Sequence, residues 1–280
     1  MRWFKALFVA FFLLSAQLHA TPLIIRTGAV NKPFQVLAWG VFGYNQTSKS
    51  YDWGEDKFVK PEGFEPTRTV SADILAAIGL PAKLEVGGVL PLAMKSSGDN
   101  SATGIGDLMV IGRYGLFQRG LLPVRAALSL AVSLPTGDKN STPALGDGST
   151  DLGFGLALNT ANIPFVTGHL RGAYWLNGMS DDTHKLGNML EYMAGVDVAI
   201  LPGLTPQLAL SGYNKVQSEV NGAKQANSEE TRMFLGFLLL WKPLPMLVIR
   251  PKVSLPVPGM NKGGTVADFY PGLDVWVTLP

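Results

Sequence analysis

Few groups in this chain could do chemistry. It has no cysteine and only three histidines, His19, His169 and His184. Nucleophilic catalysis needs a hydroxyl or thiol beside a base, with a third group to orient that base. His19 falls in a leader and His184 in a polar connection, while His169 shares one face of an alternating segment with Thr167, Arg171 and Asn177. No serine beside it has the outward register that a lipid-facing catalytic pair would need. The chain reads as a non-enzyme, with His169 as a hydrogen-bonding group.

The other candidates are charges that fall opposite apolar faces. The bases are Arg113, Arg125, Arg171, Lys215, Arg232, Arg250 and Lys252, and the acids are Asp73, Glu85, Asp107, Asp151, Glu191, Asp197 and Asp274. Seven against seven leaves no dominant sign, whereas an ion-selective constriction is lined mainly by one sign. Such residues either pair as a structural network, because a buried ion must be paired, or touch a passing solute. The residues expected along a solute path are Arg113, Arg125, His169, Arg171, Glu191, Asp197, Arg232 and Arg250. Asp138, Asp147 and Asp151 bracket one Gly-rich connection. They fit a Ca²⁺ site, which needs several oxygens, or a solvated turn. Gly153-Phe-Gly155 lies within an alternating segment and opens no helix, so no dinucleotide cofactor is expected.

These residues must be positioned by strands. In Pro123–Pro135, Val124, Ala126, Leu128, Leu130, Val132 and Leu134 alternate with Arg125, Ala127, Ser129, Ala131 and Ser133. Period two of this kind gives one apolar and one polar or small face. The pattern recurs around Leu108–Leu116, Leu152–Leu158, Val166–Leu176 and Leu190–Ile200. Arg232 and Gly236 share a face with Phe234, Leu238 and Leu240, and Phe34–Tyr44 has no clear parity. Pro251 interrupts Leu247–Leu255 and predicts a bulge or local break, since proline cannot donate to a ladder. The count is about twelve strands.

The connections alternate in length. Asn45–Thr67, Pro91–Thr103, Gly137–Ser149, Gly178–Asn188, Gln217–Glu229 and Pro256–Thr265 are long and polar. Gly79–Lys83, Phe117–Leu122, Thr160–Pro164, Leu201–Thr205 and Lys242–Met246 are short. Strand alternation alone fits a sandwich as well as a barrel. Long loops gathered at one end are the habit of bacterial outer-membrane barrels. Tyr114, Tyr174, Trp241 and Phe269 have apolar-face parity near strand ends, where interfacial girdles sit.

Composition agrees. Charged residues are 16% of the chain, below the ~25% usual in soluble domains. Arg2 and Lys5, the apolar run Ala6–Ala16 and the site Leu18-His19-Ala20 form a secretory signal peptide. The run is short of the ~20 residues that a spanning helix needs. The expected organisation is residues 1–20 as signal peptide and 21–280 as one barrel. Of 23 bases, two lie in the leader, which has no acid, so 21 bases face 21 acids in the remainder. That neutrality gives no reason to expect a nucleic-acid partner.

Three stretches carry a resemblance: Gly104-Ile-Gly-Asp-Leu-Met-Val-Ile-Gly-Arg-Tyr114, Ser133-Leu-Pro-Thr-Gly-Asp138 and Gly146-Asp-Gly-Ser-Thr-Asp-Leu-Gly-Phe-Gly-Leu156. With Gly79-Leu-Pro-Ala-Lys-Leu-Glu-Val86, the chain resembles the outer-membrane transporter family labelled "MetA-pathway of phenol degradation". The resemblance implies an all-β transmembrane antiparallel up-and-down barrel. It implies passive passage of small hydrophobic or aromatic compounds, with outer-membrane lipid and the barrel assembly machinery as partners. One departure is the end, Val277-Thr-Leu-Pro280, where such barrels commonly carry an aromatic signal; Phe269 or Trp276 could serve instead. The alternative reading is a non-transport barrel with a plugged lumen that acts through its surface loops.

Overall fold

The computed structural model describes residues 27–117, 124–160, 163–180 and 183–280. The expected signal peptide, Met1–Ala20, and all but the first residue of the expected short connection Phe117–Leu122 lie outside them.

Twelve strands form the wall: β1 (Val36–Gln46), β2 (Thr67–Leu80), β3 (Leu84–Ser97), β4 (Leu108–Phe117), β5 (Val124–Leu134), β6 (Asp151–Thr160), β7 (Val166–Leu176), β8 (Met189–Val198), β9 (Leu204–Lys215), β10 (Glu230–Leu244), β11 (Leu247–Pro256) and β12 (Tyr270–Leu279). Each pairs antiparallel with its neighbours in sequence, and β1 pairs with β12, so the sheet closes and leaves no edge in the wall. Closure satisfies every ladder within the chain, as hydrocarbon demands.

The burial pattern decides which face is the core. On β5, Leu128 and Leu130 are 45% and 51% exposed, while Ala127 and Ala131 are fully buried. Small residues therefore point into the lumen and large apolar ones point out. The same outward belt holds Val110, Phe154, Leu170, Leu190, Leu208 and Phe237. A continuous apolar exterior of this kind belongs against lipid, since soluble monomers rarely expose one. Tyr114 and Trp241 sit toward the short-turn end of this belt and Tyr174 and Phe269 toward the long-loop end, all four exposed.

Proline shapes one seam. β10 and β11 pair at Leu238–Lys252 and again at Trp241–Ile249, but not between them, opposite Pro251. On its other edge Pro251 keeps its place opposite Leu273. The local break expected there is present. A second irregularity follows at Trp241–Leu244, and another between Gly115 and Phe117 turns Phe117 outward.

The long connections hold more structure than their polarity implied. Pro91–Thr103 is not a loop. β3 continues to Ser97, turns through Gly98, where φ is +55°, and returns as the strand Asn100–Ile105. Its polar residues mark wall that rises past the apolar belt. Lys49–Asp52, Lys57–Val59 and Thr265–Val266 form one small sheet, and His184–Lys185, Glu219–Val220 and Ala223–Lys224 another. The first carries a cluster of Tyr51, Trp53 and Phe58 rings. In it a hydrogen bond to Asp56 pushes the Tyr51 hydroxyl up to about 12.

Candidate functional site

The lumen is divided. Along the inner wall from β1 to β7 runs an apolar belt of Leu37, Trp39, Val41, Leu75, Val89, Ile111 and Trp175, with Met109, Met189 and Trp276 packed on it. Leu75 and Ile111 are 1% exposed, as deeply buried as any soluble core residue. The unclear parity of β1 has its explanation here, because that strand is apolar on both faces.

A cavity of about 530 Å³ lies mainly against β8–β12 and β1. Trp39, Val41, Met193, Phe234, Leu238 and Tyr270 give its wall an apolar surface. Phe234 and Tyr270 meet edge to face, with ring centres 5.0 Å apart. Beside them stand charges already neutralised. Asp274, with no exposure, accepts Arg250 Nε at 2.8 Å and Lys252 Nζ at 2.7 Å. Asp73 and Asp274 flank Val41 in register, so two acids and two bases share this patch. The Arg250 guanidinium also lies 5.1 Å from the Trp276 ring centre and 5.8 Å from that of Trp39, within cation–π range.

Arg232 is 3% exposed and donates to the carbonyls of Thr231, Lys262, Gly263 and Thr265 at 2.7–3.1 Å. It thus fastens the β11–β12 connection to the wall, with Glu230 at 3.8 Å. Glu230 also accepts Lys215 at 2.8 Å and the Tyr213 hydroxyl at 3.0 Å. Arg171 and Glu191 line the same cavity, and one Arg171 nitrogen approaches Met193 Sδ at 3.4 Å.

Four of the eight expected path residues therefore border the cavity: Arg171, Glu191, Arg232 and Arg250. The others lie elsewhere. Arg113 makes a buried ion pair with Glu85 at 2.9 Å, both side chains 1% exposed. The pair also holds chain segment 27–31 inside the short-turn end. Arg113 donates to the carbonyls of Thr27 and Ala29, and Glu85 accepts the Asn31 N–H at 2.8 Å. Thr27 Oγ1 donates to Asn159 Oδ1 at 3.1 Å. Gly28 fits because a Cβ there would stand 2.2 Å from the Arg125 carbonyl oxygen. Arg125 itself has the inward register of its partner Asn159, yet its side chain is exposed at that end. His169 Nε2 pairs with Asp197 Oδ2 at 2.8 Å, while His169 Nδ1 and Asp197 Oδ1 are buried without a hydrogen-bond partner.

The loop acids bind the loop. Asp147 accepts the Ser149 N–H and hydroxyl, Asp151 the Ser149 hydroxyl and the Gly178 N–H, and Asp138 the Asn140 N–H. Burial pushes the Asp107 carboxyl up, against the two N–H bonds it accepts from Gly137 and Asp147. Among the described residues no group of three or more acids or histidines is placed to hold a metal ion. Ser180 Oγ stands 3.4 Å from His184 Nδ1, at the outer limit of a hydrogen bond.

Ten of the twelve wall strands, all but β1 and β12, fall in a stretch that matches a known family. The model of the family described as "Putative MetA-pathway of phenol degradation" matches residues 56–266. The chain belongs to this family. A comparison with curated proteins finds no match. Among solved structures, an outer membrane channel from Pseudomonas putida F1 is similar with a TM-score of 0.77 at 13% identity, over 90% of this chain and 97% of that one. The β domain of the Bordetella autotransporter BrkA is similar with a TM-score of 0.53 at 10% identity, over 86% and 98%. Both likenesses are of fold.

For this family member, sequence reasoning missed Trp39, Phe234 and Tyr270 as cavity wall, because apolar residues of inward register break the polar-lumen rule. It also missed Lys95, in the extended part of β3, and Pro143, in the β5–β6 loop, both of which line the cavity. The signal for Trp39 was the doubly apolar β1. Pro143 carried none.

Proposed function

We propose that the protein is an outer-membrane channel for passive passage of small hydrophobic or aromatic compounds. It is exported by the leader Met1–Ala20, begins as a mature chain at Thr21 and carries no catalytic step. The long loops then face outward and the short turns face the periplasm. The observation that carries the reading is the lining of the cavity, where aromatic and aliphatic groups stand beside charges held in ion pairs, Arg250 and Lys252 on Asp274 and Lys215 on Glu230. A solute that buries apolar surface gains about 25 cal/mol per Å² there. Of the charges expected along a solute path, Arg171, Glu191, Arg232 and Arg250 would border the solute. The phenol degradation in the family description supports the aromatic solute, and the likeness to a Pseudomonas outer membrane channel supports the channel.

A second reading, a plugged barrel acting through its loops, is favoured by one observation: segment 27–31 is tied to the Arg113–Glu85 pair inside the periplasmic end. Single-channel recording in a planar bilayer separates the two. The channel reading expects a small, weakly selective conductance that small aromatic solutes block. A silent bilayer, with unchanged growth of the deletion strain on aromatic carbon sources, supports the plugged barrel.

A further inference from the structure

The connection between β5 and β6, Gly137–Ser149, is held differently from the other long connections. It contains no strand. Its neck is closed by Asp107, whose two carboxylate oxygens accept the Gly137 and Asp147 N–H groups, each at 2.9 Å. Gly137 and Gly146 stand back to back there, and a Cβ on Gly146 would lie 2.8 Å from the Gly137 Cα. The tip, Pro143–Ala144, folds over the cavity. Pro143 lines it, and the Ala144 carbonyl accepts a hydrogen bond from Lys95 Nζ at 2.6 Å. Lys95 rises from the extended part of β3 and lines the same cavity. On the outer flank, exposed Lys139 donates to the Ser180 carbonyl at 2.7 Å.

We propose that this loop is the outer gate of the cavity and that Lys95 is the positioning residue that holds its tip shut. The proposal rests on the channel reading. A neck fixed at both ends by one carboxylate leaves the tip as a single hinged unit. A charge-assisted hydrogen bond on a flexible four-carbon stem holds the tip over the cavity and can be broken and remade without unpairing any strand, while the Lys139 bond tethers the outer flank. Opening moves Pro143 off the cavity and leaves the wall intact.

The test uses the absence of cysteine in the chain. Ser211 borders the cavity, so Ser211→Cys reports access from outside when intact cells meet a neutral, membrane-impermeant maleimide. Losing the Lys95 contact should raise the labelling rate by about tenfold or more, the shift expected when one charged hydrogen bond is removed from a two-state equilibrium. Lys95→Met should show that rise and Lys95→Arg should return the slow rate. Equal rates in wild type and Lys95→Met overturn the proposal, as does a Lys95→Arg rate as fast as that of Lys95→Met. A second arm pins the loop. A Cβ on Gly104 would meet Leu145 Cδ1 at 2.9 Å, so Gly104→Cys with Leu145→Cys can be joined by a short thiol-reactive linker. Joining should abolish most of the conductance, and unchanged conductance overturns the gate. Labelling of Ser211→Cys needs no transported solute, so a failed channel reading shows as absent uptake alongside an intact labelling response.

Discussion

The deepest charges do mechanical work before they do anything for a solute. Arg113 and Glu85 are both buried, and their spare hydrogen-bonding capacity holds segment 27–31 in place. Removing one partner of a buried pair typically costs about 3–5 kcal/mol, because the other charge is left uncompensated. Glu85→Ala should therefore lower stability to urea in lipid vesicles by that order. It should also widen the conductance as the segment is released. Unchanged conductance with the expected loss of stability would mean that the segment does not obstruct the lumen. Arg250 offers a contrast. Arg250→Met keeps the length that fills the space beside Trp39 and Trp276 but leaves Asp274 to Lys252 alone. It should alter block by aromatic solutes more than it alters stability, as read by blocker titration in bilayers.

At the scale of the strand, the argument rests on which face meets lipid. Leu130 is half exposed and its neighbour Ser129 is 7% exposed. Leu130→Arg places a charge in hydrocarbon and should cost about 2–4 kcal/mol if Leu130 lies near the bilayer midplane. Ser129→Arg would meet the buried Arg113 opposite it, so the comparison is Ser211→Arg, which enters the cavity and should cost far less. Heat-modifiable gel mobility and urea unfolding compare the two, and equal losses would overturn the register. Much of this was legible in sequence. The period-two pattern of β5, β6 and β7 fixed both faces, and Pro251 marked its own gap in the ladder. Two things were not legible, each for a physical reason. Polar residues in Lys95–Ser101 fit a loop or a strand standing clear of lipid, and only pairing tells these apart. Inward Trp39 and Trp175 look like lipid-facing residues until closure turns them toward each other's side of the lumen.

For the whole molecule, orientation follows from loop length and can be read on cells. With Ser141→Cys and Ala82→Cys made singly, an impermeant thiol reagent should label the first and not the second, and the reverse would invert the topology. N-terminal sequencing of outer-membrane material should begin at Thr21. The central claim is that the lumen passes small apolar solutes, and initial uptake into intact cells tests it most directly. A deletion strain is compared with strains that carry the wild-type chain or Ala209→Trp, which fills part of the cavity wall. The account predicts faster uptake of a labelled small aromatic compound with wild type than with Ala209→Trp or no protein, and no difference for a sugar of similar size. Equal aromatic uptake in all three strains, with the barrel present in the outer membrane, would contradict it.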